Sequence, residues 1–139
     1  MTPEFISVKL KDIAKIYSGN SINEKVKEQK YTGIDVGINY ISTKDIGFNS
    51  IIHYDNGVKI PLEELASFKT APKNTVFICA EGGSAGKKIA ISDRDLCFVN
   101  KLFAIVTGHQ VLPKYIFYYF KSADFIEQFE SSMTGIIGG

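Results

Sequence analysis

"VFICAEGGSAGKKIAIS" (residues 76–92) sets an apolar run, a glycine-rich segment carrying Lys87 and Lys88, and a second apolar run in direct succession. The arrangement poses a choice between a phosphate-binding loop and a connection between two strands. A P-loop requires a glycine, four residues, then Gly-Lys-Ser/Thr, between a strand and a helix. Counting back from Gly86-Lys87, the first glycine falls at position 81, which is Glu81, and Lys88 stands where the Mg²⁺-binding hydroxyl belongs. "KKIAIS" (87–92) alternates like a strand, so no helix N-terminus offers free N–H groups to a phosphate. The P-loop reading fails, and the stretch is a strand, a loop and a strand.

Gly82-Gly83-Ser84-Ala85-Gly86 is longer than a two-residue turn demands. Glycines also let a bulky partner approach the backbone closely. Taken alone, the segment is either a structural turn or a loop facing an anion. Lys87 and Lys88 on the outgoing strand point to opposite faces, which turns one of them toward such a partner.

Working outward, "NTVFICA" (74–80), "KKIAIS", "LCFVN" (96–100) and "LFAIVTG" (102–108) are four β-rich runs separated by turn residues. They predict a meander or small barrel-like sheet. "INYISTKDIGF" (38–48) predicts a strand ending near Ser42 and then a turn, and "SIIHYD" (50–55) a second strand closed by Asp55-Asn56-Gly57. Pro61 precedes "LEELASF" (62–68) with Glu63 and Glu64 in the first turn, which predicts a short helix. Upstream, Val8 and Leu10 alternate as in a strand, whereas Ile13 and Ile16 stand at helical spacing before the turn cluster Ser18-Gly19-Asn20. "NEKVKEQKYTG" (23–33) reads as a solvated loop or frayed helix. From Pro113, the residues Ile116, Tyr119, Phe120, Phe125, Ile126 and Phe129 recur mostly every three or four positions, an amphipathic helical stretch with Ser122 as N-cap of its second part. The expected class is α+β, with a mostly antiparallel, meander or barrel-like sheet, short helices and a C-terminal amphipathic helical segment.

Composition narrows the function. The 139 residues carry a net charge of +1 and are 45% hydrophobic, which fits one domain with a true core and weak bulk attraction to polyanions. Of 16 basic residues only Arg94 is arginine, so anion contacts fall to lysine point charges. Cys79 and Cys97 form no CxxC, neither His53 nor His109 stands at metal-ligand spacing from them, and both read as buried thiols. No signal-like or membrane-spanning run is visible, and a soluble cytoplasmic protein is expected.

Catalytic patterns fail in turn. Glu28-Gln29-Lys30 with Asp12 upstream is the nearest approach to a one-metal nuclease set, but it lies in a polar run with nothing to exclude water. "INYIS" is not the motif of a base-amine methyltransferase, and "GIDVGIN" (33–39) precedes a strand where a cofactor loop would follow one. Two isolated histidines define no triad. Tyr and Phe of 115–120 are more often core than a base-stacking platform at this spacing. No catalytic group, cofactor or metal is assigned.

The blocks in order resemble the target recognition domain of the specificity subunit of type I restriction-modification enzymes. They are "VKLKDIAKIYSG" (8–19), "YISTKDI" (40–46), "APKNTVFICAEGGSAGKKIAIS" (71–92), "FVNKLFAI" (98–105), "LPKYIFYYFKSADF" (112–125) and "TGIIGG" (134–139). The resemblance implies a noncatalytic domain that recognises double-stranded DNA. It further implies that separate methyltransferase and restriction subunits act through the full-length specificity subunit, with two recognition domains held apart by paired helices. Residues 1–139 are expected to be one such domain without the spacer helix that follows it, so dimerisation and direct assembly are not expected of this stretch alone. The loops expected to meet DNA carry Ser18, Asn20 and Ser21; Thr43 and Lys44; Gly82, Gly83, Ser84, Lys87 and Lys88; and Asn100 and Lys101. The competing expectation is a protein-interaction module that docks on a partner subunit without reading sequence.

Overall fold

The computed structural model describes residues 13–109 and 111–131. Two four-stranded sheets stack against each other. The first contains, side by side and all antiparallel, β1 (Ala14–Ser18), β8 (Leu102–Thr107), β5 (Val76–Cys79) and β6 (Ile89–Ile91). The second contains β3 (Lys59–Ile60), β2 (Ile38–Ile41), β7 (Leu96–Phe98) and β4 (Thr70–Ala71), with one parallel pair, β2 with β7.

Alternation along the two central strands explains the stacking. Phe77 and Cys79 of β5 and Leu96 and Phe98 of β7 meet between the sheets, where the Phe77 and Phe98 rings pack edge to face at 5.0 Å. The other face of β5, Val76 and Ile78, packs under the helices α2 (Pro113–Phe120) and α3 (Ala123–Ser131) through Ile116, Phe120 and Phe125. The other face of β7, Cys97, packs with Tyr31, Tyr40 and Ile60. Strands buried on both faces read as unbroken apolar runs, which is why "VFIC" and "LCF" lack polar alternation. Each fully buried Phe, Ile or Leu here contributes about 1.5–3 kcal/mol of transfer free energy.

The α+β class with mostly antiparallel strands holds. The four runs predicted as one sheet are divided: β5, β6 and β8 stay together, while β7 crosses to the second sheet, and neither sheet closes into a barrel among the described residues. Ser122 is the N-cap of α3, its Oγ accepting from the Phe125 N–H at 3.2 Å and donating to the Tyr119 carbonyl at 2.6 Å. Cys79 and Cys97 are both buried free thiols.

Two local expectations are corrected. Ile16 lies in a strand, because β1 pairs along all five residues with β8 and this ladder outweighs the helical spacing of Ile13 and Ile16. "SIIHYD" is not a strand beyond a single Ile46–Ile52 bridge, since Ser50 is left-handed (φ 68°) and the chain's polar groups are taken locally. His53 N–H donates to the Asp45 carbonyl at 2.7 Å, and the Tyr54 carbonyl accepts from the Asn39 side chain at 3.2 Å. The strand that pairs with β2 lies just downstream, at Lys59–Ile60. "LEELAS" forms the expected short helix, of 3₁₀ type, with Pro61 at its N-cap position. The polar run forms a three-residue helix, α1 (Glu24–Val26), which widens into a π turn over Lys27–Tyr31. The strand expected at Val8 and Leu10, Asp12, the side chain of Phe129 and "TGIIGG" lie outside the described residues.

Candidate nucleic-acid interface

The four predicted loops come from four parts of the sequence, and the fold brings all of them to one end of the molecule. They follow β1, β2, β5 and β7; the registers run β1 and β5 the same way within one sheet and β2 and β7 the same way within the other. Backbone hydrogen bonds then stitch the loops together. Asn20 N–H donates to the Phe98 carbonyl at 2.9 Å, Val99 N–H to the Ile41 carbonyl at 3.0 Å, and Ala80 N–H to the Lys101 carbonyl at 2.8 Å.

The first loop is a fastener. Ser18 ends β1 opposite Phe103, and a Cβ at Gly19 would overlap the Phe98 carbonyl oxygen, so only glycine fits this close approach. Asn20 Oδ1 accepts from the Lys69 N–H at 2.8 Å, and the Asn20 carbonyl accepts from the Tyr40 hydroxyl at 2.7 Å. Burial pushes the Tyr40 phenol up to about 12, so it remains a donor across the working pH range. Ser21 is exposed at the loop's outer edge.

The second loop is a 3₁₀ turn, Thr43–Asp45, closed by a capping box. Its carboxylate is buried: Asp45 Oδ2 accepts from Ser42 N–H at 2.8 Å, Ser42 Oγ at 3.1 Å and Asn56 Nδ2 at 2.9 Å. Lys44 projects to solvent from this fixed base, and Thr43 is half-buried.

The glycine-rich loop is compact. Gly86 N–H donates to the Cys79 carbonyl at 2.8 Å and Lys87 N–H to the Ser84 carbonyl at 2.9 Å, while Gly82 and Gly86 take positive φ of 83° and 76°. The two lysines do diverge, although they precede β6 instead of starting it. Lys87 is exposed. Lys88 is half-buried, donates to the Thr43 carbonyl at 3.1 Å and lies 5.1 Å over the Phe48 ring. It ties the second loop to the third. Gly82 and Gly83 are exposed and Ser84 is half-buried. Asn100 and Lys101 occupy an exposed tight turn in which Leu102 N–H returns to the Val99 carbonyl at 3.1 Å.

The predicted set therefore sorts into two kinds. Ser21, Lys44, Gly82, Gly83, Lys87, Asn100 and Lys101 face solvent, whereas Ser18, Asn20, Thr43, Ser84 and Lys88 are half-buried. Of the latter, Asn20, Thr43 and Lys88 link the loops to each other or to the sheets. Lys44, Lys87 and Lys101 make no ion pair among the described residues. Sequence reading missed Phe48, which is 66% exposed beside Lys88. The signal was present, because Gly47 and Asn49 flank it as turn residues. Among the described residues no three His, Cys, Asp or Glu side chains gather as a metal site. Nor is any described helix long and apolar enough to cross a membrane.

Fold and site together define an α+β domain of two stacked sheets whose strand-end loops gather into one lysine-bearing face. The same fold occurs in type I restriction-modification proteins. One structure, concerned with complex assembly and conformational transition of the type I R-M system, contains a chain that superposes with a TM-score of 0.64 at 19% identity, covering 91% of this chain and 29% of that one. The HsdS subunit from Thermoanaerobacter tengcongensis superposes at 0.64 with 17% identity, covering 82% of this chain and 26% of the subunit. The S subunit of the type I restriction-modification system from M. genitalium gives 0.59 and 15%, covering 94% and 31%. This chain thus spans between about a quarter and a third of those chains' lengths. No family model matches the sequence, and comparison with curated proteins finds no match. The specificity-subunit resemblance read from the sequence blocks has its counterpart in the fold.

Proposed function

We propose that this chain is a DNA target recognition domain that serves a type I restriction-modification system as part of its specificity component. In this reading the domain carries no catalytic step. It works in the cytoplasm on double-stranded DNA, and separate methyltransferase and restriction subunits act where it directs them. The observation that carries the proposal is the convergence of four loops at one end of a fold shared with S subunits. Lys44, Lys87 and Lys101 supply sequence-independent attraction to phosphates. Asn100, Ser21 and the open backbone of Gly82-Gly83 offer hydrogen-bonding groups to base edges, where each good contact is worth roughly 1–3 kcal/mol of discrimination. Because the loops are fastened by backbone bonds and by Asp45, Tyr40 and Lys88, little ordering entropy remains to be lost on binding.

The test joins this domain, through a spacer helix, to a second recognition domain of known target within an assembled methyltransferase complex. Mapping methylated adenines then reports a new half-site. A complex that assembles and methylates only the old site, or at random, sinks the proposal. Lys87→Ala with Lys101→Ala separates it from partner docking without DNA reading: methylation of the new site falls while assembly persists.

A further inference from the structure

Between the second and third loops stands a turn that the four-loop face does not explain. Ile46 and Ile52 bridge as the base of a small hairpin, and Gly47 N–H donates to the Ile51 carbonyl at 3.0 Å. Ser50 N–H returns to the Gly47 carbonyl at 3.0 Å, and Asn49 Oδ1 accepts from the Ile51 N–H at 3.2 Å. A Cβ at Gly47 would collide with Asn49 Oδ1, and Ser50 is held left-handed at φ 68°. Non-glycine residues adopt that conformation only where the surroundings enforce it. The product is a rigid turn that points two apolar side chains at solvent: Phe48, 66% exposed, and Ile51, 53% exposed.

A stray surface phenylalanine needs no account, but this one is placed. The Lys88 ammonium lies 5.1 Å over its ring and donates to the Thr43 carbonyl, so Phe48 joins the loops that carry Lys44 and Lys87. An exposed aromatic side chain on a stiff turn, held by Lys88 beside loops that carry free lysines, has the chemistry of a wedge. The cations hold two backbones close while the ring replaces a base on one side of a stack. Proteins that kink duplexes use apolar wedges in this way, giving up stacking for a bent helix that meets more of their surface.

We infer that Phe48 is a wedge residue that inserts at a base step of duplex DNA, with the hairpin turn as its rigid mount and Lys88 as its positioning partner. The inference rests on the DNA-recognition proposal and adds a structural act to it: the domain distorts its site as well as contacting it. Ile51 flanks the wedge and covers the opened step. The rigidity matters because a preformed projection loses little rotamer freedom on insertion.

The experiment uses the assembled methyltransferase complex carrying this domain and a duplex with its methylation-mapped half-site, in which 2-aminopurine replaces successive purines. Unstacking at the wedge step brightens one probe position, distinct from that of the methylated adenine, for the wild-type complex. Phe48→Ala abolishes that rise and weakens binding to the half-site about tenfold or more, the usual scale of a lost base–aromatic stack. Phe48→Trp keeps both. The salt slope stays unchanged, since every phosphate keeps its lysine. If Phe48→Ala leaves the probe signal and affinity as in wild type, or if it lowers affinity through loss of subunit assembly, the wedge is overturned while DNA recognition stands. A wild-type complex that assembles and gains no half-site overturns both.

Discussion

The arginine at one end of the stacked sheets and three lysines at the other are held in opposite ways. At the far end, where β6 turns into β7, polar groups are answered within the protein. Lys73 N–H donates to Asp95 Oδ1 at 2.9 Å, Thr75 N–H to Ser92 Oγ at 3.1 Å, and Asp93 N–H to the Tyr54 hydroxyl at 2.9 Å. Arg94 pairs with Asp93 at 2.9 Å and lies 3.9 Å over the Tyr54 ring. At the loop end, backbone bonds tie the loops together, yet Lys44, Lys87 and Lys101 reach into solvent without an ion pair among the described residues. One end closes the fold. The other keeps three lysines available on loops that backbone bonds hold in place.

The strongest way to break this division is to attack the fastener between β1 and β7. Gly19→Ala places a methyl group against the Phe98 carbonyl, where backbone must move to admit it. Overpacking of this kind costs about 1–3 kcal/mol, and the backbone obstacle puts the substitution at the upper end. The midpoint of urea unfolding is expected to fall accordingly, with all four loops loosened together. A midpoint equal to wild type would show that the loops are not coupled through this junction.

Next comes the combined substitution of Lys44, Lys87 and Lys101 by alanine. All three are exposed, so stability is expected to change by no more than about 0.5 kcal/mol. DNA binding by the assembled complex should weaken severely, and the log–log salt slope should flatten by about 0.9 for each phosphate that is no longer neutralised. A slope unchanged after all three are removed places the phosphate-binding cations elsewhere.

The contrast between those two substitutions also marks what the sequence could disclose. The paired runs around "EGGSAGKK", the capped helix at Ser122 and the loops bearing exposed lysines were legible, because alternation, turn residues and capping chemistry are local. The split of β7 into a second sheet was not, since Leu96, Cys97 and Phe98 are equally apolar on both faces and carry no mark of which neighbour they pair with. The roles of Asn20 and Lys88 were likewise hidden. Both have the side-chain chemistry of DNA readers, and both are engaged by partners distant in sequence, Lys69 and Tyr40 for the first and Thr43 for the second. Phe48 was passed over because the strand predicted at 50–55 obscured the hairpin turn that presents it.

Tyr40→Phe sharpens the comparison with a smaller effect. It deletes the hydroxyl that donates to the Asn20 carbonyl while leaving the ring in its cluster with Tyr31, Ile60 and Cys97. One such bond contributes about 0.5–1.5 kcal/mol. The first loop should lose hydrogen-exchange protection at Asn20 before any other loop does. Burial raises the phenol's pKa to about 12, so its contribution is fully present below its ordinary value of 10.0 and is lost as pH rises through about 12. In alkaline unfolding, the wild type should therefore lose over that window stability that Tyr40→Phe, with no group to ionise, retains. Parallel pH curves for the two proteins count against burial as the source of the raised phenol pKa.

The smallest expected effect is the sharpest test of the division between ends. Arg94 is the chain's only arginine, and arginine is the side chain best suited to forked contacts with guanine and phosphate. By residue type alone it is the first suspect for DNA contact. Its position argues otherwise: it sits in the turn between β6 and β7, at the opposite end from the four loops, stacked on Tyr54. The hydrogen bond from Arg94 is the main cause that holds the Asp93 carboxyl below its usual range, so the guanidinium already has its anion. Arg94→Ala is expected to leave half-site affinity within about twofold and the salt slope unchanged, because the phosphates keep all their cations. A slope flattened by about 0.9 would mean that the duplex reaches the far end after all, and that the self-neutralised cluster opens to receive it.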